Sequence, residues 1–73
     1  MKLKIKSFHE LDLLDDKEMV KIYDCKTEEV IYDIGRWEFF RCDDLYDKYK
    51  DRNISYLGSN IEGSIVYLDI YLS

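Results

Sequence analysis

Met19-Val20-Lys21-Ile22-Tyr23-Asp24, the polar connection Cys25–Glu29, and then Val30-Ile31-Tyr32-Asp33-Ile34-Gly35 decide the fold. β-branched and aromatic residues alternate with polar ones in both runs, as a pleated and half-buried surface requires. Placing Ile22 opposite Tyr32 sets Val20 opposite Ile34 and Asp24 opposite Val30, giving one mostly apolar face. Lys21 opposite Asp33 and Tyr23 opposite Ile31 occupy the other face. Sliding by one residue sets Val20 against Asp33 and Lys21 against Tyr32, so the hydrophobic pattern selects the register. The Lys21–Asp33 pair adds only a few tenths of a kcal/mol. The connection lacks an Asn-Gly or Asp-Gly turn and predicts an exposed tip of about four or five residues.

The same vocabulary returns at Ile65-Val66-Tyr67-Leu68-Asp69-Ile70-Tyr71, within a long final strand over 64–72. Val66, Leu68, Ile70 and Leu72 share one face of it, and Ile65, Tyr67, Asp69 and Tyr71 share the other. A strand apolar on one face and tyrosine-rich on the other belongs in the middle of a sheet. The expected buried set is Val20, Ile22, Tyr32, Ile34, Val66, Leu68 and Ile70.

Shorter signals fill the remainder. Met1–Lys6 alternates Lys with apolar residues and predicts a strand over Lys2–Lys6, with Leu3 and Ile5 buried. Ser7-Phe8-His9-Glu10 has the form of a capping box, and Phe8, Leu11 and Leu14 follow at helical spacing. Gly35 ends the second strand, and Arg36–Arg41 is the densest aromatic segment. Asp43 or Asp44 caps a helix running to about Lys50, with acids early and Lys48, Lys50 and Arg52 late, as the helix dipole favours. Ile54–Leu57 reads as a short strand and Gly58–Gly63 as a turn. The expectation is a single α+β domain spanning 1–73, a small, mainly antiparallel sheet of four or five strands with one or two short helices.

Composition narrows the function. The chain has 73 residues, 47% of them hydrophobic and 15% aromatic, with no proline and three glycines, so it folds rather than serving as a linker. No apolar run approaches the ~18 residues of a membrane span, and the start lacks the continuous apolar region of a signal peptide. Cys25 and Cys42 are then expected as reduced thiols in a cytoplasmic protein, although one disulfide between them is allowed. The net charge of −5 is uneven: residues 1–8 carry three Lys and no acid, whereas residues 9–33 carry nine acids against three Lys. Direct nucleic-acid binding through a basic face does not fit that balance.

Catalytic and metal readings find little to build on. Nucleophilic catalysis needs a nucleophile, a base within reach and a group orienting the base. His9 is the only histidine, and no motif joins it to Cys25 or Cys42. Three scattered soft ligands do not make a zinc site, and Asp12, Asp15, Asp16 and Glu18 lack the glycine and distal glutamate of a calcium loop. The expectation is a protein without enzymatic activity, cofactor or metal.

Two surface features remain. Tyr23, Tyr67 and Tyr71 lie on the face opposite the core, where they serve either as core-edge residues under a helix or as an aromatic anchor patch for a partner. The acids of the first half either solvate the protein or engage a basic surface.

The block Met19–Ile34, with the aromatic and acidic segment and β-rich tail after it, resembles small acidic proteins encoded by phages and mobile elements of low-GC bacteria. Their pattern matches Val20–Asp24, the polar tip Cys25–Thr27, Glu29–Gly35, the helix Asp43–Lys50 and the strand Ile65–Leu72. Some such proteins, several anti-CRISPR inhibitors among them, occupy the nucleic-acid sites of host nucleases. The resemblance implies a protein-binding inhibitor whose partner has a basic surface. Asp12, Asp15, Asp16, Glu18, Glu28 and Glu29 would act as phosphate mimics, and Tyr23, Tyr67 and Tyr71 as anchors. The alternative is a self-associating structural or accessory protein, a homodimer pairing through an exposed edge at Lys2–Lys6 or Ile54–Leu57.

Overall fold

The computed structural model describes residues 3–73. Along the chain it contains α1 (Ile5–Glu10), β1 (Met19–Asp24), β2 (Val30–Arg36), α2 (Trp37–Arg41), α3 (Asp44–Tyr49), β3 (Ile54–Glu62) and β4 (Ile65–Leu72). The four strands form one sheet in the order β2-β1-β4-β3. Both hairpins are antiparallel, and β1 joins β4 in parallel, from Val20↔Leu68 to Asp24↔Leu72. The fold is therefore α+β as expected, with three helices rather than one or two. The final strand is central, as its two-faced pattern required.

The β1–β2 register contains the expected Ile22↔Tyr32 pair, and Lys21 Nζ lies 3.8 Å from Asp33 Oδ1. Val20 pairs with Gly35 instead of Ile34, and Tyr23 pairs with Val30. Each shift inserts one extra residue on β2, the signature of a β-bulge on an edge strand. The tip is exposed from Cys25 to Glu29. Asp24 Oδ1 accepts from the N–H groups of Lys26 and Thr27 at 2.8 and 3.2 Å, and so stands in for the missing turn glycine. Glu28 takes the left-handed conformation there, with φ 61°.

All three helices pack on one face of the sheet. Ile5 and Phe8 of α1 and Trp37 and Phe40 of α2 are buried with Val20, Ile22, Ile70 and Leu72, and Leu45, Tyr46 and Tyr49 of α3 pack against them. Trp37 is the hub. Its ring meets Phe8 edge-on at 5.9 Å, Phe40 at 5.7 Å and Tyr46 at 6.1 Å. The aromatic segment thus forms a helix because Trp37 and Phe40, three residues apart, fall on one side of it. Phe39 is left outside, under the Arg36 guanidinium. The α3 cap is the expected one, with Asp43 Oδ1 accepting from Leu45 N–H at 3.0 Å.

Four expectations are corrected. Ile5 begins a helix rather than lying within a strand, because the spacing that matters is Ile5 to Phe8. Of the expected Lys2–Lys6 strand, Lys2 lies outside the described residues and only Lys4 makes a bridge, to Asn53. Ser7 is inside α1 and forms no capping box. The first N–H groups of the helix are instead satisfied by carbonyls of a neighbouring loop, Ile5 by Arg52 at 3.1 Å and Lys6 by Lys50 at 2.9 Å. Gly58 is not in a turn: β3 runs straight through it to Glu62. The Tyr56 ring folds over Gly58, and a Cβ there would stand 2.7 Å from Tyr56 Oη. The turn is Gly63-Ser64, with Gly63 at φ 62° in the first central position, as a type II′ hairpin demands.

The fourth correction concerns burial. The bulge takes Ile34 out of its expected place opposite Val20, and it lies half-buried on the other side of the sheet with Met19 and Ile65. Tyr32 and Leu68 are half-buried, and Val66 is 61% exposed although it lies on the core side of β4. The helices do not reach that end of the hairpin.

Candidate binding face

The opposite face of the sheet carries no helix among the described residues. On it β1 presents Lys21 and Tyr23, β4 presents Tyr67, Asp69 and Tyr71, and β3 presents Tyr56 and Gly58. Tyr23 and Tyr71 are ladder partners and stack at 4.5 Å with only 16° between their planes. Tyr56 meets Tyr71 edge-on at 5.6 Å. Lys21 Nζ sits 5.2 Å from the centre of the Tyr23 ring while reaching towards Asp33. These contacts fix the rings at low entropic cost to any later association, since the rotamers are already chosen.

Tyr67 is only 5% exposed, which corrects its expected place among the exposed anchors. Its burial does not come from the core cluster, to which it does not belong. Burial and the neighbouring Asp69 carboxylate both push its phenol upward, and burial likewise raises Tyr71, with Tyr23 and Asp69 adding to the effect. Both phenols are therefore neutral hydrogen-bonding groups at physiological pH. Tyr23 and Tyr71 are half-buried, and the most exposed tyrosine of the face is Tyr56, at 59%. Alternation from Ile54 would place Tyr56 on the core side; the irregularity between Ile54 and Tyr56 turns it to this face instead.

Asp69 lies at the middle of the face, between Lys21 of β1 and Gly58 of β3 in the ladders. Its Oδ1 is buried without a hydrogen-bond donor. Towards the far end, Asp33 and Glu62 flank a shallow pocket of about 340 Å³ with Met19, Ile34 and Ile65 as its apolar lining. Three carboxylates thus accompany four tyrosines on this side, with Lys21 among them and Arg36 beside Met19 at the edge.

The acids singled out in the sequence are divided between the two ends of β1. Asp12, Asp15, Asp16 and Glu18 belong to the loop before the strand, and Glu28 and Glu29 to the tip after it. A six-residue strand separates the groups by about 17 Å, at ~3.3 Å per residue. The loop acids are also partly engaged. Asp16 pairs with Arg41 at 2.9 Å, and Asp15 Oδ1 accepts from Lys17 N–H at 2.8 Å. The carbonyls of Asp16 and Glu18 accept from the N–H groups of Glu38 and Trp37, tying this loop to the start of α2.

His9, Cys25 and Cys42 are all exposed, and the cysteines are free thiols. His9 contacts Tyr46 edge-on at 6.4 Å. Among the described residues, no group of three or more His, Cys, Asp and Glu is arranged to hold a metal, and no helix is long and apolar enough to cross a membrane. Comparison with protein-family models, curated proteins and solved structures returned no match.

Proposed function

We propose that the chain is a non-enzymatic binding module that presents its helix-free sheet face to a protein partner with a basic surface. The supporting observation is the composition of that face: Tyr23, Tyr56 and Tyr71 packed ring to ring, with Asp33, Glu62 and Asp69 around them. Tyrosine brings rigid, amphipathic contact area, and the carboxylates favour a partner rich in Lys and Arg. A sharper form of the reading is a phage-encoded, anti-CRISPR-like inhibitor that covers the nucleic-acid site of its partner. The carboxylates of the face, rather than those of the 12–18 loop, then take the place of phosphates.

The test is affinity capture from host lysate with mass spectrometry, using three baits. The wild type should retain a basic protein that salt releases. Asp33→Lys/Glu62→Lys should lose it, and Asp12→Lys/Asp15→Lys should keep it. Equal capture by all three baits would overturn the proposal.

A further inference from the structure

The two edges of the sheet are unlike. β2 is broken by two register shifts and carries Asp33 and Arg36. β3 has a single irregularity, between Ile54 and Tyr56, and then seven residues in uninterrupted register with β4, from Tyr56 to Glu62. Bulges, charges and prolines are the usual devices that keep an edge from pairing, and the run Tyr56–Ile61 has none of them. From Asn53 to Ser64 the only charged side chain is Glu62, in a chain that is 37% charged. On the core side this edge also carries Leu57 and Ile61, 46% and 65% exposed, beside the exposed Val66 of β4.

The order of residues along the edge is self-complementary. Glu62 and Ile65 close the two-residue turn and form its hydrogen-bonded pair. Glu62, Asn60, Gly58 and Tyr56 therefore direct their backbone groups towards β4, and Leu57, Ser59 and Ile61 direct theirs outward. An antiparallel copy related by a two-fold axis must pair residues of the same face. Centred on Ser59, it sets Leu57 opposite Ile61 of the copy, Ile61 opposite Leu57, and Tyr56 opposite Glu62. Centring on Gly58 or Asn60 sets Leu57 or Ile61 against a serine. A single register therefore joins both apolar residues.

We propose that β3 is a dimerisation edge, at which a second copy of this chain pairs antiparallel about Ser59 to form one eight-stranded sheet. The near absence of charge at this edge lets two chains of net charge −5 approach there with little opposition. The assembly closes at two, because the edges left over are the two bulged β2 strands. A seven-residue edge buries less than the ~1,200 Å² of a standard interface, so the dimer is weak and concentration-dependent.

Sedimentation velocity from about 1 µM to about 1 mM, the range of weak interfaces, tests the pairing. The mass should rise with concentration from 8.9 kDa towards twice that value. Ser59→Lys sets two ammonium groups face to face on the axis and should remain monomeric, with an unchanged circular-dichroism spectrum. In a Cys25→Ser/Cys42→Ser background, Ser59→Cys should cross-link to itself on oxidation. Its Cα atoms would lie about 5.5 Å apart, within disulfide range. Ile61→Cys alone should not cross-link, since its own copy lies about 13 Å away along the strand, at ~3.3 Å per residue. A wild type monomeric throughout, a Ser59→Lys variant that still dimerises, or equal cross-linking at positions 59 and 61 would overturn the proposal.

Discussion

The two hairpins share antiparallel pairing but differ in what supports them. β1–β2 lies under the helices. Val20 and Ile22 are fully buried beneath Trp37 and Phe40, and the outer strand is bulged and charged. β3–β4 keeps its regular ladder to the turn, yet its far end passes beyond the helices and leaves Leu57, Ile61 and Val66 in solvent. β1–β2 is packed beneath the helices through Val20 and Ile22, whereas β3–β4 joins the buried core only through Ile70 and Leu72, and its turn end rests on backbone pairing and turn geometry. A small domain concentrates its apolar burial in this way because it has too little chain to cover a whole sheet.

The largest effect should come from the packed side. Trp37→Ala removes the hub of the aromatic cluster and should cost about 3–5 kcal/mol in urea denaturation, most of the stability of a chain this size. The matching change on the other hairpin, Ile61→Thr, should stay within about 0.5 kcal/mol when measured on dilute protein. Similar losses at the two positions would break the comparison. Next in size, Gly63→Ala forces a left-handed backbone on an L-residue in open space, with no neighbouring atom within 4 Å to relieve or worsen it. It should cost about 1–2 kcal/mol, visible as a lowered thermal midpoint.

The smallest effect lies where the hairpins are tied together. The N–H groups of Lys26 and Thr27, and then Arg52 at 3.2 Å, hold the Asp24 carboxyl below its ordinary range. Its contribution is complete above the unfolded value of about 3.9 and is lost as pH falls through the lower folded value. Asp24→Asn should therefore flatten the fall of the thermal midpoint below about pH 4. An unchanged acid profile would remove Asp24 from the tie.

Strand alternation made the β1–β2 pairing, the central position of β4 and the Asp43 cap legible in the sequence. Each rests on local periodicity or on one side chain next to the groups it satisfies. The start of α1 was not legible, because its N–H groups are completed by Lys50 and Arg52, more than forty residues away. Gly58 misled for a related reason: its missing Cβ serves a tyrosine ring instead of a turn. Periodicity also assigned Val66 to the correct face but could not show how far the helices extend over it. Of the tyrosines on the helix-free sheet face, Tyr23, Tyr67 and Tyr71 were legible from alternation and Tyr56 was not, and the carboxylates beside them were not legible as a group either. Clustering along the chain drew notice to residues 12–18, whereas Asp33, Glu62 and Asp69 come from three different strands.

The parallel pairing of β1 with β4 also sets the order in which the domain can be completed. β1 ends at Asp24 and its parallel partner β4 begins at Ile65, so the two halves of the sheet join only once a strand about forty residues further along the chain is made. Until then a nascent chain holds β1–β2 with one flank unpaired, and β3 with no partner at all. Such non-local pairing slows folding and leaves strand edges open to other chains. For this protein, the interval before β4 docks between β1 and β3 is when the strand edges are open to misassociation.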